Sequence, residues 1–193
     1  MKFISIFLLL LLSFSFCDAQ NELLGVDEQG KFIYYELVEI NGMPSAQLSE
    51  KVTDFLKKTF KDVKQKEVHG DSSFMAVGKL VINKTVLVMS HPSGEISYHF
   101  RAEVKDGKYR FWLSNFNFIP YYRDRYGNFV AATHKGTPLE NNPGKLNAVQ
   151  WREYQIQAAQ YAHHFAQSFK DYMIGKTETP NDRLERTIVK KNW

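Results

Sequence analysis

Histidine and carboxylate side chains are the groups in this sequence that could carry acid–base or metal chemistry. His163 and His164 are adjacent in a helical pattern, and because neighbours on a helix point about 100° apart, they cannot share one metal ion. The sequence also lacks a zinc-binding spacing, a Gly-rich phosphate loop and a nucleophile elbow. We therefore expect no metal and no cofactor. The six histidines are His69, His91, His99, His134, His163 and His164.

One histidine and one carboxylate fall together in a stretch suited to an active site. His134 and Asp124 both lie within residues 121–143, a polar, Gly- and Pro-containing segment that we interpret as a long loop with one short strand near residues 129–132. Loops often carry catalytic groups, and a carboxylate can orient a histidine base. A hydrolase with its site on this loop is therefore the alternative function, although no nucleophile accompanies the pair.

The N-terminus has the layout of a secretory signal peptide. Lys2 is followed by an apolar run that reaches Phe16, which is shorter than the roughly 20 residues needed to span a bilayer. The small residue Ala19 then predicts cleavage before Gln20, so that residues 1–19 are removed and the protein reaches the periplasm or cell envelope. Two alternatives remain: an uncleaved anchor, and a lipoprotein attached through Cys17, which the bulky Phe16 disfavours.

Removal of the signal peptide would leave a chain without cysteine, since Cys17 is the only one. Disulfides and thiolate chemistry are then excluded, and stability must come from an apolar core, which 44% hydrophobic residues can supply. The net charge of +4 is mild and favours solubility and contact with anionic envelope surfaces. We interpret a run of lysines as the solvated side of a helix, and expect no nucleic-acid partner: Lys57, Lys58, Lys61, Lys64 and Lys66.

Two helices are predicted from apolar residues spaced three and four apart. The first begins near Ser45, expected to cap it, and the second spans residues 147–175, with Asn147 and Gln150 as a capping box and Gly175 as its end. The first stripe comprises Leu48, Val52, Phe55, Leu56 and Phe60. The second comprises Tyr154, Ala158, Tyr161, Phe165, Phe169 and Tyr172. Residues 20–175 are expected to form one domain, with a charged tail over 176–193.

Strands are predicted where β-branched and aromatic residues alternate with polar ones. We expect breaks between them at Asn83-Lys84 and at Pro92-Ser93-Gly94, where turn-forming residues cluster. The fold class is therefore α+β: an antiparallel meander sheet of five to six strands, with two helices packed on one face. The predicted strands cover residues 32–40, 66–69, 74–82, 85–90, 95–105 and 108–116.

The pair Asp106-Gly107 sets a two-residue hairpin turn between two alternating runs, which fixes the register of their side chains. One face of the hairpin is then wholly apolar and is predicted to be core, packed against both helices. Its residues are Phe100, Ala102, Val104, Tyr109, Phe111 and Leu113.

The other face of this hairpin carries polar and aromatic side chains: His99, Arg101, Glu103, Arg110 and Trp112. We predict an ion pair between Glu103 and Arg110 and a cation–π contact between Arg101 and Trp112, because the register places each pair on opposite strands. With both helices on one side of the sheet, this face is expected to be open to water. It is the candidate binding surface.

The chain resembles a bacterial envelope family described as a domain of unknown function with a TATA-box-binding-protein-like fold. The similarity covers roughly residues 32–118 and is carried by three stretches: residues 34–38, residues 48–60, and the hairpin residues 104–110. The resemblance implies a TBP-like fold and an exported location. It implies no catalytic residues.

These observations favour an exported, non-catalytic binding or interaction module of the bacterial cell envelope. Its partner would be an envelope protein or a second copy of the chain, bound through the open sheet face, and the mature chain would have no transmembrane segment. The hydrolase remains the alternative.

Overall fold

The computed structural model describes residues 23–60, 73–86, 89–141 and 144–176. The predicted signal peptide, the predicted strand at 66–69 and the tail beyond Lys176 lie outside these residues. Strand bounds are β1 Gly25–Val26, β2 Phe32–Glu39, β3 Ser73–Val86, β4 Met89–Lys105, β5 Lys108–Arg123, β6 Phe129–Ala131 and β7 Thr137–Pro138. Helix bounds are α1 Ser45–Thr59 and α2 Ala148–Met173, the latter preceded by a 3₁₀ turn at Lys145–Asn147.

All seven strands of the described chain pair antiparallel, which confirms the predicted α+β class. The main sheet has the order β1-β2-β5-β4-β3, so within this order the meander runs from β3 to β5. Strand β2 lies beside β5 rather than beside its sequence neighbour β3. Strands β6 and β7 pair with the second half of β5. Within the described residues, neither helix is long and apolar enough to cross a membrane.

Both helices pack on one face of the sheet, and the six hairpin residues predicted to be core are all buried. The ring of Phe100 lies 5.3 Å from that of Phe165, and the ring of Phe111 lies 4.9 Å from that of Phe169. Phe55 of α1 contacts both of these α2 phenylalanines. Burial of such rings is the main favourable term in folding, and aromatic contacts of this kind add to it.

The predicted turn at Asp106-Gly107 is confirmed, with Lys105 opposite Lys108 and a positive φ of 74° at Gly107. The turn also contacts the start of α1, where the Ser45 amide donates a hydrogen bond of 2.7 Å to Oδ1 of Asp106. Ser45 was predicted to cap this helix with its own hydroxyl, and that was wrong: the acceptor comes from the hairpin. A carboxylate suits this position because the amides at a helix N-terminus carry partial positive charge.

Asn147 also makes no side-chain cap, because the chain enters α2 through a 3₁₀ turn. The backbone amide of Asn147 donates to the carbonyl of Gly144 at 3.2 Å, so the first amides are satisfied differently from a capping box. The predicted end of the helix is close to the observed one, with Gly175 at a positive φ of 82° just beyond Met173.

Strands β3 and β4 continue through both places where breaks were predicted. Asn83 lies inside β3 opposite Pro92, while Ile82 lies opposite Gly94, which leaves Ser93 as an extra residue in β4. Proline lacks an amide donor, and a bulge is one of the few positions in a sheet that tolerate it. The turn residues therefore mark a bulge rather than the end of a strand.

A second bulge lies in β5 at Asn115, the one non-glycine with positive φ among the described residues, at 57°. His99 pairs with Ser114 and Ser97 with Asn117, so β5 carries one residue more than β4 here. The core-facing residues of β5 are accordingly odd-numbered up to Leu113, and the next ones, Phe116 and Phe118, are even-numbered. Strand β5 can continue past its predicted end at 116 because the bulge returns its apolar side chains to the core.

The segment predicted as a loop from 121 to 143 is largely structured. Strand β5 reaches Arg123 and forms a hairpin with β6, in agreement with the short strand expected near 129–132. Leu139 is fully buried, and its carbonyl accepts hydrogen bonds of 2.9 Å from both Trp151 and Gln155. These contacts fasten the end of the segment to α2.

Candidate functional site

The five predicted surface residues lie together on the side of the sheet away from both helices. Arg101 pairs with Trp112, Glu103 with Arg110, and His99 with Ser114, as the hairpin register predicted. We call this surface the open face; it extends along β2, β5, β4 and β3 from the Asp106-Gly107 turn to the bulge at Asn115. The structure fixes the placement of these residues, whereas their role in binding stays a prediction.

The predicted ion pair between Glu103 and Arg110 is present. Nε of Arg110 donates to Oε2 of Glu103 at 2.8 Å, and a second guanidinium nitrogen lies 2.5 Å from the same oxygen. The hydrogen bond to Glu103 and the negative charge of Glu103, with a smaller contribution from Tyr35, raise the pKa of Arg110. The pair holds the guanidinium in place, but contributes little stability because half of the Arg110 side chain is in solvent.

The cation over the Trp112 ring is Arg110, whose guanidinium carbon lies 5.7 Å from the ring centroid. The sequence predicted Arg101 in this role, which was wrong. Arg110 is two residues from Trp112 on the same strand and face, and its hydrogen bonds to Glu103 hold it there. Arg101 lies between Trp112 and Met75 in the sheet and is exposed. The Arg101 guanidinium is therefore available to contact a binding partner.

Strand β2 adds two residues that the sequence analysis missed. Tyr35 lies opposite Trp112, with ring centroids 6.5 Å apart, and Leu37 lies opposite Arg110. Both are unusually exposed for their type, at 51% and 55%. The alternation of β2 shows that it has two faces, but only the long-range pairing with β5 reveals which residues join the site.

A groove of about 240 Å³ opens beside these two residues, near the hairpin turn. Leu37 and the Tyr35 ring give it an apolar part, while charged residues supply the rest. Its lining residues are Tyr35, Leu37, Glu103, Lys105, Lys108, Tyr109 and Arg110.

Positive charge predominates on the open face. Its cations are Arg101, Lys105, Lys108 and Arg110, and its carboxylates are Glu39 and Glu103. Glu103 is engaged by Arg110, whereas Arg101, Lys105 and Lys108 make no ion pair with any residue in the described ranges. A surface of this kind attracts carboxylates or phosphates through Coulomb interactions and charge-assisted hydrogen bonds.

His99 marks the end of the open face at the bulge. Its Nε2 atom lies 3.2 Å from the side-chain amide nitrogen Nδ2 of Asn115, and the imidazole is half-buried. The histidine thus contacts the side chain of the bulge residue. This contact favours a structural role in positioning the surface over a role in chemistry.

The candidate dyad on the other segment is not assembled. Oδ1 of Asp124 accepts hydrogen bonds from the backbone amides of Tyr126 and Asn128, at 2.8 and 2.9 Å. The hydrogen bond from the Asn128 amide lowers the pKa of Asp124, with further contributions from the side chain of Asn128 and the amides of Tyr126 and Gly127. Among the described residues no hydrogen bond joins Asp124 to His134, which is exposed. No cluster of three metal-binding side chains occurs in that part of the chain either.

Comparison with known proteins agrees with this architecture. Residues 34–119 match the model of a domain of unknown function (DUF4468) with TBP-like fold. A TBP-like protein from Parabacteroides distasonis superposes with a TM-score of 0.60 at 16% identity, over 80% of this chain and 99% of its own. A DUF4468 family protein from Bacteroides ovatus gives a TM-score of 0.53 at 15% identity, over 84% and 94%. No curated protein matches the sequence.

These matches confirm the family resemblance inferred from the sequence, and the fold class with it. At such low identity the structural neighbours establish a shared fold and nothing about activity. The function must therefore be argued from the surface itself.

Proposed function

We propose that this chain, whose residues 34–119 match a domain of unknown function with TBP-like fold, is an exported, non-catalytic module of the bacterial cell envelope. It binds an acidic surface of a partner protein through the open face. The observation that carries the proposal is the row formed by Tyr35, Trp112 and Arg110 across two strands, in which Tyr35 and Arg110 are exposed and Trp112 is half-buried.

These three residue types are the ones most enriched at the energetic centres of protein interfaces. Their rings and guanidinium are already held against one another, so little conformational entropy is lost when a partner covers them. The Glu103 ion pair fixes Arg110, and the cross-strand contact fixes the Tyr35 ring beside Trp112. A preorganised aromatic row rimmed by cations favours an interaction surface over a merely solvated sheet.

Charge favours an acidic partner over a second copy of the chain. Two open faces brought together would oppose cations to cations, which is unfavourable when water is excluded. Carboxylates of a partner could instead reach Arg101, Lys105 and Lys108, none of which has an ion-pair partner among the described residues. The same charges would accelerate the encounter at low salt.

Export is the second part of the proposal and rests on the N-terminal sequence. The apolar run from Phe3 to Phe16 followed by Ala19 supports delivery across the cytoplasmic membrane. Attachment to the membrane through a lipid on Cys17 is the alternative way in which the protein would be held in the envelope.

Photo-crosslinking tests the surface directly. A photoreactive amino acid is placed at position 35, and cells are irradiated before the envelope is solubilised. We expect an adduct with an acidic protein, lost in Trp112→Ala although that variant melts at nearly the wild-type temperature. Val149→Ala, a substitution of an exposed apolar residue on α2 outside the open face, is the control and should retain the adduct.

Two results would overturn the proposal: an adduct of twice the chain mass, which would identify a second copy as the occupant, or no adduct at position 35. If Trp112→Ala fails to fold, Arg101→Glu takes its place. That residue is exposed, and the reversed charge should abolish capture of an acidic partner without loss of stability.

A further inference from the structure

The hairpin between β5 and β6 projects a second group of exposed aromatic and basic residues. We call Tyr122, Arg123, Arg125 and Tyr126 the hairpin tip. Tyr122 is 54% exposed and Tyr126 is 74% exposed. Both arginines are also exposed. The tip belongs to the part of β5 beyond the Asn115 bulge and is separate from the open face.

Each arginine of the tip lies over an aromatic ring. The guanidinium carbon of Arg123 is 5.1 Å from the centroid of Phe129, and that of Arg125 is 4.8 Å from the centroid of Tyr126. Such contacts orient the guanidinium group while its N–H groups stay accessible. Two oriented guanidinium groups at one projecting turn are suited to phosphate oxygens, which they bind with paired hydrogen bonds.

The carboxylate of Asp124, which lies between the two arginines in sequence, does not neutralise them. Both carboxylate oxygens of Asp124 are engaged inside the turn, by the amides of Tyr126 and Asn128 and by the Asn128 side chain. The neighbouring carboxylate, Glu95, accepts a hydrogen bond from Tyr121 and pairs with Lys79. The tip therefore presents positive charge and phenol groups outward.

The shape of the tip restricts what it can bind. Small molecules bind in concave sites that bury most of their surface, whereas all four named side chains of this turn are exposed. Exposed side chains of this kind can instead enter the headgroup layer of a membrane. Tyrosine is enriched at the level of lipid headgroups because its ring is apolar and its hydroxyl polar, and arginine binds the phosphates there.

From these observations we propose that the hairpin tip docks the protein on anionic phospholipid headgroups. Tyr122 and Tyr126 enter the interfacial layer, while Arg123 and Arg125 bind lipid phosphates. This contact is peripheral, and it does not depend on the partner proposed for the open face.

Vesicle co-sedimentation tests the inference with protein expressed from the full sequence and purified after export. The vesicles contain either pure phosphatidylcholine or an equal mixture with phosphatidylglycerol. We expect binding to the anionic vesicles at low salt and weak binding to the neutral ones. Because each basic residue at an anionic surface contributes about fivefold, the double variant Arg123→Gln/Arg125→Gln should bind about 25-fold more weakly.

Two controls separate a specific tip from general attraction. Lys57→Gln/Arg152→Gln removes the same charge from exposed positions outside both surfaces and should change binding by no more than a few-fold. In Tyr126→Trp, lipids brominated on their acyl chains should quench the new fluorescence more than they quench that of wild type. Equal losses in both double variants, or no binding to anionic vesicles, would overturn the proposal.

Discussion

Asp106 connects two elements that are distant in sequence. It occupies the first position of the two-residue β4–β5 turn, and its carboxylate accepts a hydrogen bond from the backbone amide of Ser45 at the start of α1. The backbone amide of Gly107 donates to the carbonyl of Met43 at 2.9 Å, which secures the same junction. One side chain therefore stabilises a turn and orients a helix relative to the sheet.

The first prediction follows from the titration of this carboxyl group. The backbone hydrogen bond from Ser45 lowers the pKa of Asp106, so its contribution to stability is present above the unfolded-state pKa of about 4 and is lost as pH falls through the lower folded value. Asp106→Asn should lower the melting temperature at pH 7. The difference from wild type should shrink below about pH 4.

Thermal melts of both proteins from pH 2.5 to 7 measure this difference. Asp54→Asn, an exposed change on α1 outside this junction, is the control and should leave the pH profile unaltered. A constant gap between Asp106→Asn and wild type across the whole pH range would show that the turn conformation, rather than the charge, accounts for the effect.

At the residue scale, local register was predictable and side-chain partners were less so. The Asp106-Gly107 turn correctly placed Trp112 and Arg101 on the same face. It could not show that Arg110 would cover the Trp112 ring, because Arg101 and Arg110 both lie next to Trp112 on that face and the hairpin register does not choose between them. Strand pairing shows which residues are adjacent. Which of the adjacent side chains touch each other depends on all the residues of that surface.

At the scale of elements, Gly78 in β3 allows a contact between the sheet and α2. It lies opposite Tyr98, whose hydroxyl is 2.7 Å from that of Tyr161. A Cβ atom at position 78 would lie 2.4 Å from Cζ of Tyr98 and 2.8 Å from Phe60. The missing side chain thus leaves space for the Tyr98 ring to reach the helix.

We predict that Gly78→Ala destabilises the protein by about 1–3 kcal/mol, the usual cost of forcing an extra methyl group into a packed core. Gly25→Ala is the matched control, because its Cβ would meet only a carbonyl oxygen at 3.4 Å, and it should change stability by less than about 0.5 kcal/mol. Urea titration measures both values. Equal stability of the two variants would mean that the Tyr98 ring can move aside at little cost.

The elements themselves were predicted well where their cause is local. Apolar spacing gave α1 within a residue and α2 nearly in full, and β2 was placed within one residue. The lengths of β3, β4 and β5 were underestimated, because Pro92 and Asn115 belong to bulges that continue a strand. A turn-forming residue has the same local preference in both settings, and only pairing distinguishes them.

At the scale of the whole molecule, neither the order of the sheet nor the anchoring of the 121–143 segment could be derived from local pattern. Strand β2 pairs with β5 across about seventy intervening residues, and β7 reaches the same strand beyond the bulge. These pairings bring Tyr35 and Leu37 into the candidate site. They also place Leu139 under Trp151 of α2.

The last prediction concerns cleavage of the N-terminal signal peptide during export. If residues 1–19 form a cleaved signal peptide, protein recovered from the envelope should begin at Gln20 and contain no cysteine. Intact-mass measurement decides this, and replacing Ala19 with Arg should block processing at this bond. A mass corresponding to a lipid on Cys17 would instead establish the anchored form, and a retained N-terminus would exclude both.

The bulge at Asn115 has a consequence for how sequences of this fold can change in length. Before it the odd-numbered residues of β5, such as Leu113, point to the core, and after it the even-numbered Phe116 and Phe118 do. Loss of Asn115 would place Phe116 opposite Tyr98 in a regular ladder, so Phe116 and Phe118 would stay on the core side. A residue added to or removed from any other position of β5, with no bulge to absorb it, would instead turn every side chain beyond it to the opposite face. Relatives should therefore differ in length in the turns at either end of β5 and at the bulge, and keep the number of residues elsewhere in the strand.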